Sequence, residues 1–420
     1  MTPRAFLLIA FSSHRNSLQN HDVALHALTQ AEARDADAVG FFLPLHNEEM
    51  RRVGFFLPLY KPFGMTSNRA VQIVKRALKR RSDEFGAKLK VGHAGTLDPR
   101  ATGVLTIAVG RATRFIRFLR TEKHYTATFR LGVETDSDDL EGVVLREDAA
   151  PWVTEEDVRS ALRQFVGTLS QVPPIFSAIR LDGARAYTLA RGKRGSDGDG
   201  QKTESGTVKT RDALLEKLGP RSINVSRIDV LAWRPGPFPE VDVAIECSRG
   251  TYIRSIARDL GRVLGRPVES GGGHVGCTMA ALERTRCGAF TLLPPAEEES
   301  SSEDSHPHPP LNWPIPTVDD DEIERALDNR RAMSSIDDAM AHFDKVFLPP
   351  GVAHDLKRGD SVKWNAAWTA ATKTKGADDD EEQQTTVRVV NTADGKCSAV
   401  ACVRSIAGTE NQRIDTLVRA

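Results

Sequence analysis

The sequence predicts a mixed α/β (α+β) fold, with a largely antiparallel sheet flanked by helices and a small β-barrel-like unit at the C-terminal end. Three observations carry that prediction. Residues 124–133 place Tyr125, Ala127, Phe129 and Leu131 at alternate positions, the period of a half-buried strand, and 241–247 reads as a second strand. Residues following Ser67 and Thr154, and those over 253–264, repeat instead with helical spacing. No glycine-rich phosphate loop or βαβ dinucleotide fingerprint interrupts this pattern.

The elements follow in order. Residues 1–52 read as an N-terminal extension: Arg4, His14 and Arg15 precede the first acidic residue, Asp22, around an apolar run at 5–11. That composition resembles an organelle transit peptide, mitochondrial or plastid; the alternative is a disordered extension. Val-Gly-Phe-Phe-Leu-Pro-Leu occurs at 39–45 and again at 53–59, too short a duplication for a repeat architecture. Residues 53–60 should be a buried strand ending in the turn Lys61-Pro62-Phe63-Gly64. Ser67 is expected to cap a helix with Val71, Val74 and Leu78 on one face and Arg69, Lys75, Arg76, Lys79, Arg80 and Arg81 elsewhere. Thr154 should cap a helix through Phe165, with Val158 and Leu162 in register. Residues 192–219 are polar and glycine-rich, a mobile loop inside the domain, and 296–310 are acidic and low in complexity, the composition of a disordered segment. The expected division is therefore a main domain over 53–293, an acidic linker and helix over 294–339, and a unit over 340–408 with strands at 346–348, 361–364, 386–390 and 399–403 around an acidic loop at 378–382.

Composition excludes several classes. The formal net charge is zero, so charge must be judged by segment. The five cysteines form no CxxC pair and no His/Cys cluster with zinc spacing, so no metal site is expected and the thiols fit a reducing, intracellular setting. No apolar run approaches the ~18 residues of a membrane-spanning helix. The expectation is a soluble protein without a membrane partner.

Charge is concentrated between residues 61 and 130, with sixteen Lys/Arg against four Asp/Glu. Such an excess attracts phosphates, although most charge runs are solvated helix faces. Here it spans several elements, through Lys88, Lys90, Arg100, Arg111, Arg114, Arg117 and Arg120, which favours nucleic acid. Within it lies Lys90-Val91-Gly92-His93-Ala94-Gly95-Thr96-Leu97-Asp98-Pro99-Arg100. The two glycines permit close approach of a ligand to the backbone, and Pro99 biases Asp98 toward an extended conformation. An aspartate so held among cations could serve as nucleophile or base. On its own, an Asp-Pro turn is more often structural.

Over roughly 53–293 the chain resembles the TruB-type pseudouridine synthases of the bacterial, T-loop-modifying kind. The likeness rests on separated blocks: Lys61-Pro62-Phe63-Gly64-Met65-Thr66-Ser67; the loop through Asp98 and on to Gly110-Arg111-Ala112-Thr113; and His124-Tyr125 with Arg130-Leu131-Gly132 and Thr135-Asp136-Ser137-Asp138-Asp139. Further along come Gln171-Val172-Pro173-Pro174 with Phe176-Ser177-Ala178, then Cys247-Ser248-Arg249-Gly250-Thr251-Tyr252-Ile253-Arg254-Ser255, and finally Leu282-Glu283-Arg284-Thr285-Arg286.

The resemblance implies a pseudouridine synthase fold with RNA in a cleft across the sheet and the target uridine flipped out of its loop. Asp98 would initiate cleavage of the C1′–N1 bond, after which the uracil turns and rejoins through C5, with no cofactor or metal. Arg254 would pair with Asp98. Tyr125 would stack on the base and act as a base at the sugar, whereas its alternation alone suits a core aromatic. Tyr252 and Leu282 would line the uracil pocket, His93 would wedge into the vacated stack, and Lys61 and Lys90 would make phosphate or loop contacts. The implied partner is the T stem-loop of tRNA, met by a monomer with no obligatory protein partner. The tail resembles a PUA-type RNA-binding barrel at Phe347-Leu348-Pro349-Pro350, Leu356-Lys357-Arg358-Gly359-Asp360 and Asp394-Gly395-Lys396, with a generic β domain as the alternative. Departures from the family pattern are Arg180 for lysine, Glu283 for a basic residue and the long loop at 192–219. Two other functions compete: a guide-RNA-dependent ribosomal RNA pseudouridine synthase, and a non-catalytic tRNA-folding helper.

Overall fold

The structure, a computed structural model, describes residues 54–86, 88–177, 179–181, 184–186, 213–265, 273–292, 311–312, 315–328, 332–348, 384–391, 397–405 and 412–419. The expectations for the extension at 1–52 with the first copy of the duplication, most of the loop at 192–219, the acidic segment at 296–310, the strand at 361–364, the acidic loop at 378–382 and most of the barrel hints lie outside these residues.

Strand β1 (Gly54–Lys61) is followed by helix α1 (Ser67–Arg80), the short strand β2 (Val91–His93), β3 (Thr102–Gly110) and β4 (Lys123–Leu131). Helix α2 (Glu155–Leu162) leads to β5 (Gly167–Gln171), β6 (Arg221–Arg234), β7 (Glu240–Cys247), α3 (Ile253–Val263) and β8 (Cys277–Cys287). Helix α4 (Asp320–Asp328) and the two-residue strand β9 (Ser334–Ser335) complete the body. The main sheet runs β9-β1-β3-β8-β4-β7-β6-β5, with β2 branching from β3. Along this path only the β3–β8 pair is parallel, so the mixed, largely antiparallel sheet expected from the sequence is what forms.

β1 explains its own continuous apolar run. Phe55, Leu57 and Leu59 face the main core, with α1 and α3, while Phe56 faces a second cluster with Val104, Ala108, Phe115 and Met340. A strand buried on both faces needs no polar alternation. Pro58 is tolerated because alternate residues Phe56 and Tyr60 turn their polar groups away from β3, toward Ser334 and toward Pro316 and Val318. Pro58 therefore lacks its N–H on the sparsely paired side.

Three local expectations need correction. The cap of α1 is Thr66, whose hydroxyl accepts from the Arg69 N–H at 3.1 Å; Ser67 is already helical and bonds elsewhere. Thr154 does cap α2, in a reciprocal capping box with Asp157, but the helix ends at Leu162 and a 3₁₀ turn carries on to Phe165. The described part of the segment taken as a linker packs into the body: Leu311–Asn312 pairs with Phe290–Thr291, Thr317 bridges Tyr60, and β9 extends the sheet beyond β1.

Helix α4 also changes the account of the basic field. Its Asp320 pairs with Arg76 and Arg80, Glu324 with Arg80, and Asp328 with Arg81. Part of the basic surface of α1 thus faces acids some 240 residues away in sequence instead of RNA phosphates. Each of these exposed pairs is worth little singly.

The C-terminal strands β10 (Asp344–Leu348), β11 (Gln384–Asn391), β12 (Cys397–Ser405) and β13 (Gln412–Arg419) form a four-stranded sheet in that order, parallel only between β10 and β11. The sheet runs past the expected boundary at 408. Among the described residues it is open, with no pairing between β10 and β13.

Candidate active site

The loop carrying Asp98 is held from three sides. From α1, the Ser67 hydroxyl accepts from the Leu97 N–H at 2.8 Å and donates to the Leu97 carbonyl at 2.9 Å. From the end of β1, the Lys61 ammonium donates to the carbonyls of Pro62, Met65 and Pro99 at 3.0, 2.8 and 3.1 Å. From β8, the Arg284 guanidinium donates to Val104 (2.8 Å), Gly95 (3.2 Å) and Thr96 (3.5 Å). Lys61 and Arg284 are both fully buried. A buried cation is tolerated only when its hydrogens are used, and here backbone carbonyls use them. Of the two glycines read in the loop, only Gly95 has a positive φ (+133°), and a Cβ there would lie 3.2 Å from Lys123 Nζ.

Helix α3 supplies the counter-charge. Gln171, at the end of β5, fixes its start: the carboxamide oxygen accepts from the Tyr252 N–H (2.9 Å) and its nitrogen donates to the Tyr252 carbonyl (3.1 Å). Arg254 follows in the first turn, its Nε 2.9 Å from Asp98 Oδ2, and it donates to the carbonyls of Ser137 (3.1 Å) and Phe176 (3.0 Å). Arg258, one turn on, meets Asp138 at 3.1 Å and donates to the Val172 carbonyl at 2.7 Å. Arg254, in the first turn of α3, opposes the helix dipole, and α3 has no acid in that turn. The turn at 135–139 offsets this, since Asp138 and Asp139 are buried beside the two guanidiniums. Asp138 holds φ at +61°, and the Ser137 hydroxyl and Glu141 N–H both bond the Asp139 carboxylate.

Tyr125 and Arg284 are opposite one another across β4 and β8. Burial pushes the Tyr125 phenol well above its ordinary value, while the Arg284 charge pulls it back down. Tyr125 is therefore a weaker acid than a free tyrosine, and the phenol must lose its own proton before it can accept one. Tyr252 is half-buried and also pushed up by burial, with the Arg221 and Arg254 charges acting in the other direction and the Asp98 charge adding to the rise. Leu282 packs against the main core two residues before Arg284 on the same strand. His93 ends β2 rather than sitting in a loop; burial, then Arg284, lowers its pKa and favours the neutral ring.

Asp98 and Arg254 are thus in direct contact with Tyr252 near both, Tyr125 and His93 lie near Arg284, and Leu282 shares a strand with Arg284. Lys61 belongs to the site as a loop brace: of the two contacts expected for it, phosphate or loop, its full burial and three carbonyl bonds favour the loop. Lys90 is exposed at the far end of β2, its carbonyl bonded to the Gly110 N–H. Glu283 accepts from the Tyr60 hydroxyl (3.1 Å) and Thr102 hydroxyl (3.3 Å), which gives this departure an internal role. Sequence reasoning missed Ser67, Gln171, Asp138, Asp139, Arg258 and Arg284 as parts of the site. The four-residue spacing of Arg254 and Arg258 was a usable signal, since it puts both on one helix face.

Beside Ala94 and Gly95 opens a cavity of about 830 Å³, lined by Arg114, Arg117, Arg120, Lys123 and Arg249 and by no acidic residue. This retained part of the basic field lies next to the Asp98 loop and has the charge to follow an RNA backbone. Among the described residues no His/Cys/Asp/Glu group has the arrangement of a metal site, and no helix is long and apolar enough to cross a membrane.

Residues 80–204 match the family described as TruB family pseudouridylate synthase, N-terminal domain. The chain is 43% identical over 232 residues to tRNA pseudouridine synthase B of Trichormus variabilis, covering 55% of this chain and 67% of that protein. It is 40% identical over 278 residues to the protein of the same name from Rhodococcus jostii, covering 64% and 79% respectively. The solved structure "Crystal Structure of a Cbf5-Nop10-Gar1 Complex" aligns with a TM-score of 0.49 at 21% identity, over 88% of this chain and 86% of that one.

Proposed function

The chain belongs to the TruB family of pseudouridine synthases, and from that premise we propose that it isomerises one uridine in the T loop of tRNA to pseudouridine. The observation that carries the reading is the Asp98–Arg254 pair, a carboxylate about one-third exposed against a guanidinium almost wholly buried, at 2.9 Å. The arginine is fixed by two carbonyls and a second carboxylate, so it orients Asp98 while leaving it open to a ligand.

The uridine leaves its stack, because its sugar–base bond is otherwise out of reach. Asp98 initiates cleavage of the C1′–N1 bond. The uracil, held by Tyr252 and Leu282 and stacked on Tyr125, turns and bonds to C1′ through C5. The proton lost from C5 is matched by one gained at N1, so product and substrate are isomers and no oxidant or reductant is needed. His93, as a neutral ring, enters the space the uridine leaves, and the Arg114–Lys123 groove follows the backbone. The enzyme acts on RNA as a monomer without a protein partner. Residues 1–52 serve organelle import in this reading, which the mass of the mature protein tests.

The test is release of tritium from C5-labelled uridine in a T stem-loop RNA by the purified protein alone. Release at a single position supports the reading. Activity appearing only after adding a guide RNA and partner proteins contradicts it and assigns the chain to guided modification. Tight binding without any release would make it a folding helper.

A further inference from the structure

Phe63 is 62% exposed, more than any other large apolar side chain among the described residues. Single exposed hydrophobics are common and by themselves mean little. Three further observations set this one apart. The turn that carries it is rigid: the Gly64 N–H donates to the Pro99 carbonyl at 2.9 Å, Gly64 holds φ at +81°, and Lys61 ties the carbonyls of Pro62, Met65 and Pro99 together from below. The turn is joined to the chain next to the reaction centre, because Pro99, whose carbonyl accepts from the Gly64 N–H, directly follows Asp98. And the Arg100 guanidinium lies 5.3 Å from the ring centroid, with its Nε buried and without a hydrogen-bond partner among the described residues. An exposed aromatic ring on a tied turn, with a cation over one face, suits on its other face a group that is itself flat, aromatic and attached to phosphate.

We propose that Phe63, with Arg100, forms a stacking platform for an unpaired nucleobase of the substrate RNA that neighbours the flipped uridine. Flipping removes one stacking partner from each adjacent base, and an aromatic ring of fixed position replaces one of those contacts. A free phosphate would not use the ring, and an apolar protein side chain would not use the cation. This inference rests on the proposed RNA substrate and adds a subsite to it.

The test measures dissociation constants and KM for a T stem-loop RNA with the wild-type protein and with Phe63→Ala, Phe63→Leu and Phe63→Trp. The same RNA is also prepared with an abasic nucleotide on either side of the target uridine. Stacking of one base predicts that Phe63→Ala weakens binding roughly five- to a hundredfold, with KM rising by more than kcat falls. Tryptophan should bind nearly as the wild type does, and leucine, which keeps apolar bulk without a π face, should behave like alanine. At one flank the abasic RNA should cost the wild type a similar factor and cost Phe63→Ala nothing more. Binding by Phe63→Ala within twofold of the wild type, a leucine equal to phenylalanine, or losses that multiply at both flanks would each overturn the platform. Failure of the wild type itself to bind this RNA would instead overturn the proposed function.

Discussion

Ser67 and Leu97, thirty residues apart, are joined by a reciprocal pair of hydrogen bonds through one hydroxyl, at 2.8 and 2.9 Å. The hydroxyl is buried and serves both backbone groups of the residue next to Asp98. Removing it in Ser67→Ala leaves a buried N–H and a buried carbonyl unpaired, at a cost of about 1–3 kcal/mol. We expect a lower midpoint in urea unfolding together with slower single-turnover catalysis, because the same bond sets the Asp98 backbone. A variant destabilised but fully active would show that the contact serves folding alone.

Arg284 makes a related prediction about the other end of the loop. Lysine retains the charge but cannot reach three carbonyls with a planar fork. Arg284→Lys should therefore keep RNA affinity within a fewfold while the single-turnover rate falls on the order of a hundredfold, the scale of a misplaced catalytic group. Equal losses in affinity and rate, or no loss in either, would argue against a positioning role.

Lys61 gives the pH dependence its sign. Burial lowers its ammonium to about 8, partly offset by the Asp98 charge, against an ordinary value of 10.5. Between those values the unfolded chain holds more protons than the folded one, so this group's contribution to stability rises with pH and is lost as pH falls through 8. Urea unfolding of wild type and Lys61→Met between pH 7 and 10 should show the wild type gaining on the variant as pH increases. A gap that stays constant or narrows would contradict the lowered value.

Much of this fold was legible because its signals are local. The alternation from Tyr125 to Leu131, the run from Phe55 to Leu59 and the capping box at Thr154 each report on a few adjacent residues, and each element formed within a few residues of its expected limits. The pairing of α1 with α4 was not legible, because Arg80 and Asp320 have no local pattern linking them across 240 residues. For the same reason Lys61 was left between a phosphate and a loop contact: the sequence marks a lysine in a basic field but not the three carbonyls that enclose it. Ser67 satisfied the composition rule for a cap, yet the preceding threonine satisfied it equally well. In the site, resemblance pointed to Asp98 and Arg254, whereas Arg284 and Asp138 stand out only once burial and backbone conformation are known.

The central claim is that Asp98, oriented by Arg254, begins the chemistry on a flipped uridine. It is tested most directly by single-turnover tritium release from a C5-labelled T stem-loop RNA with Asp98→Asn, alongside the dissociation constant for the same RNA. Asparagine preserves the shape and an oxygen for Arg254, so the account predicts that binding persists while release is abolished. Release by Asp98→Asn at the wild-type rate would contradict it.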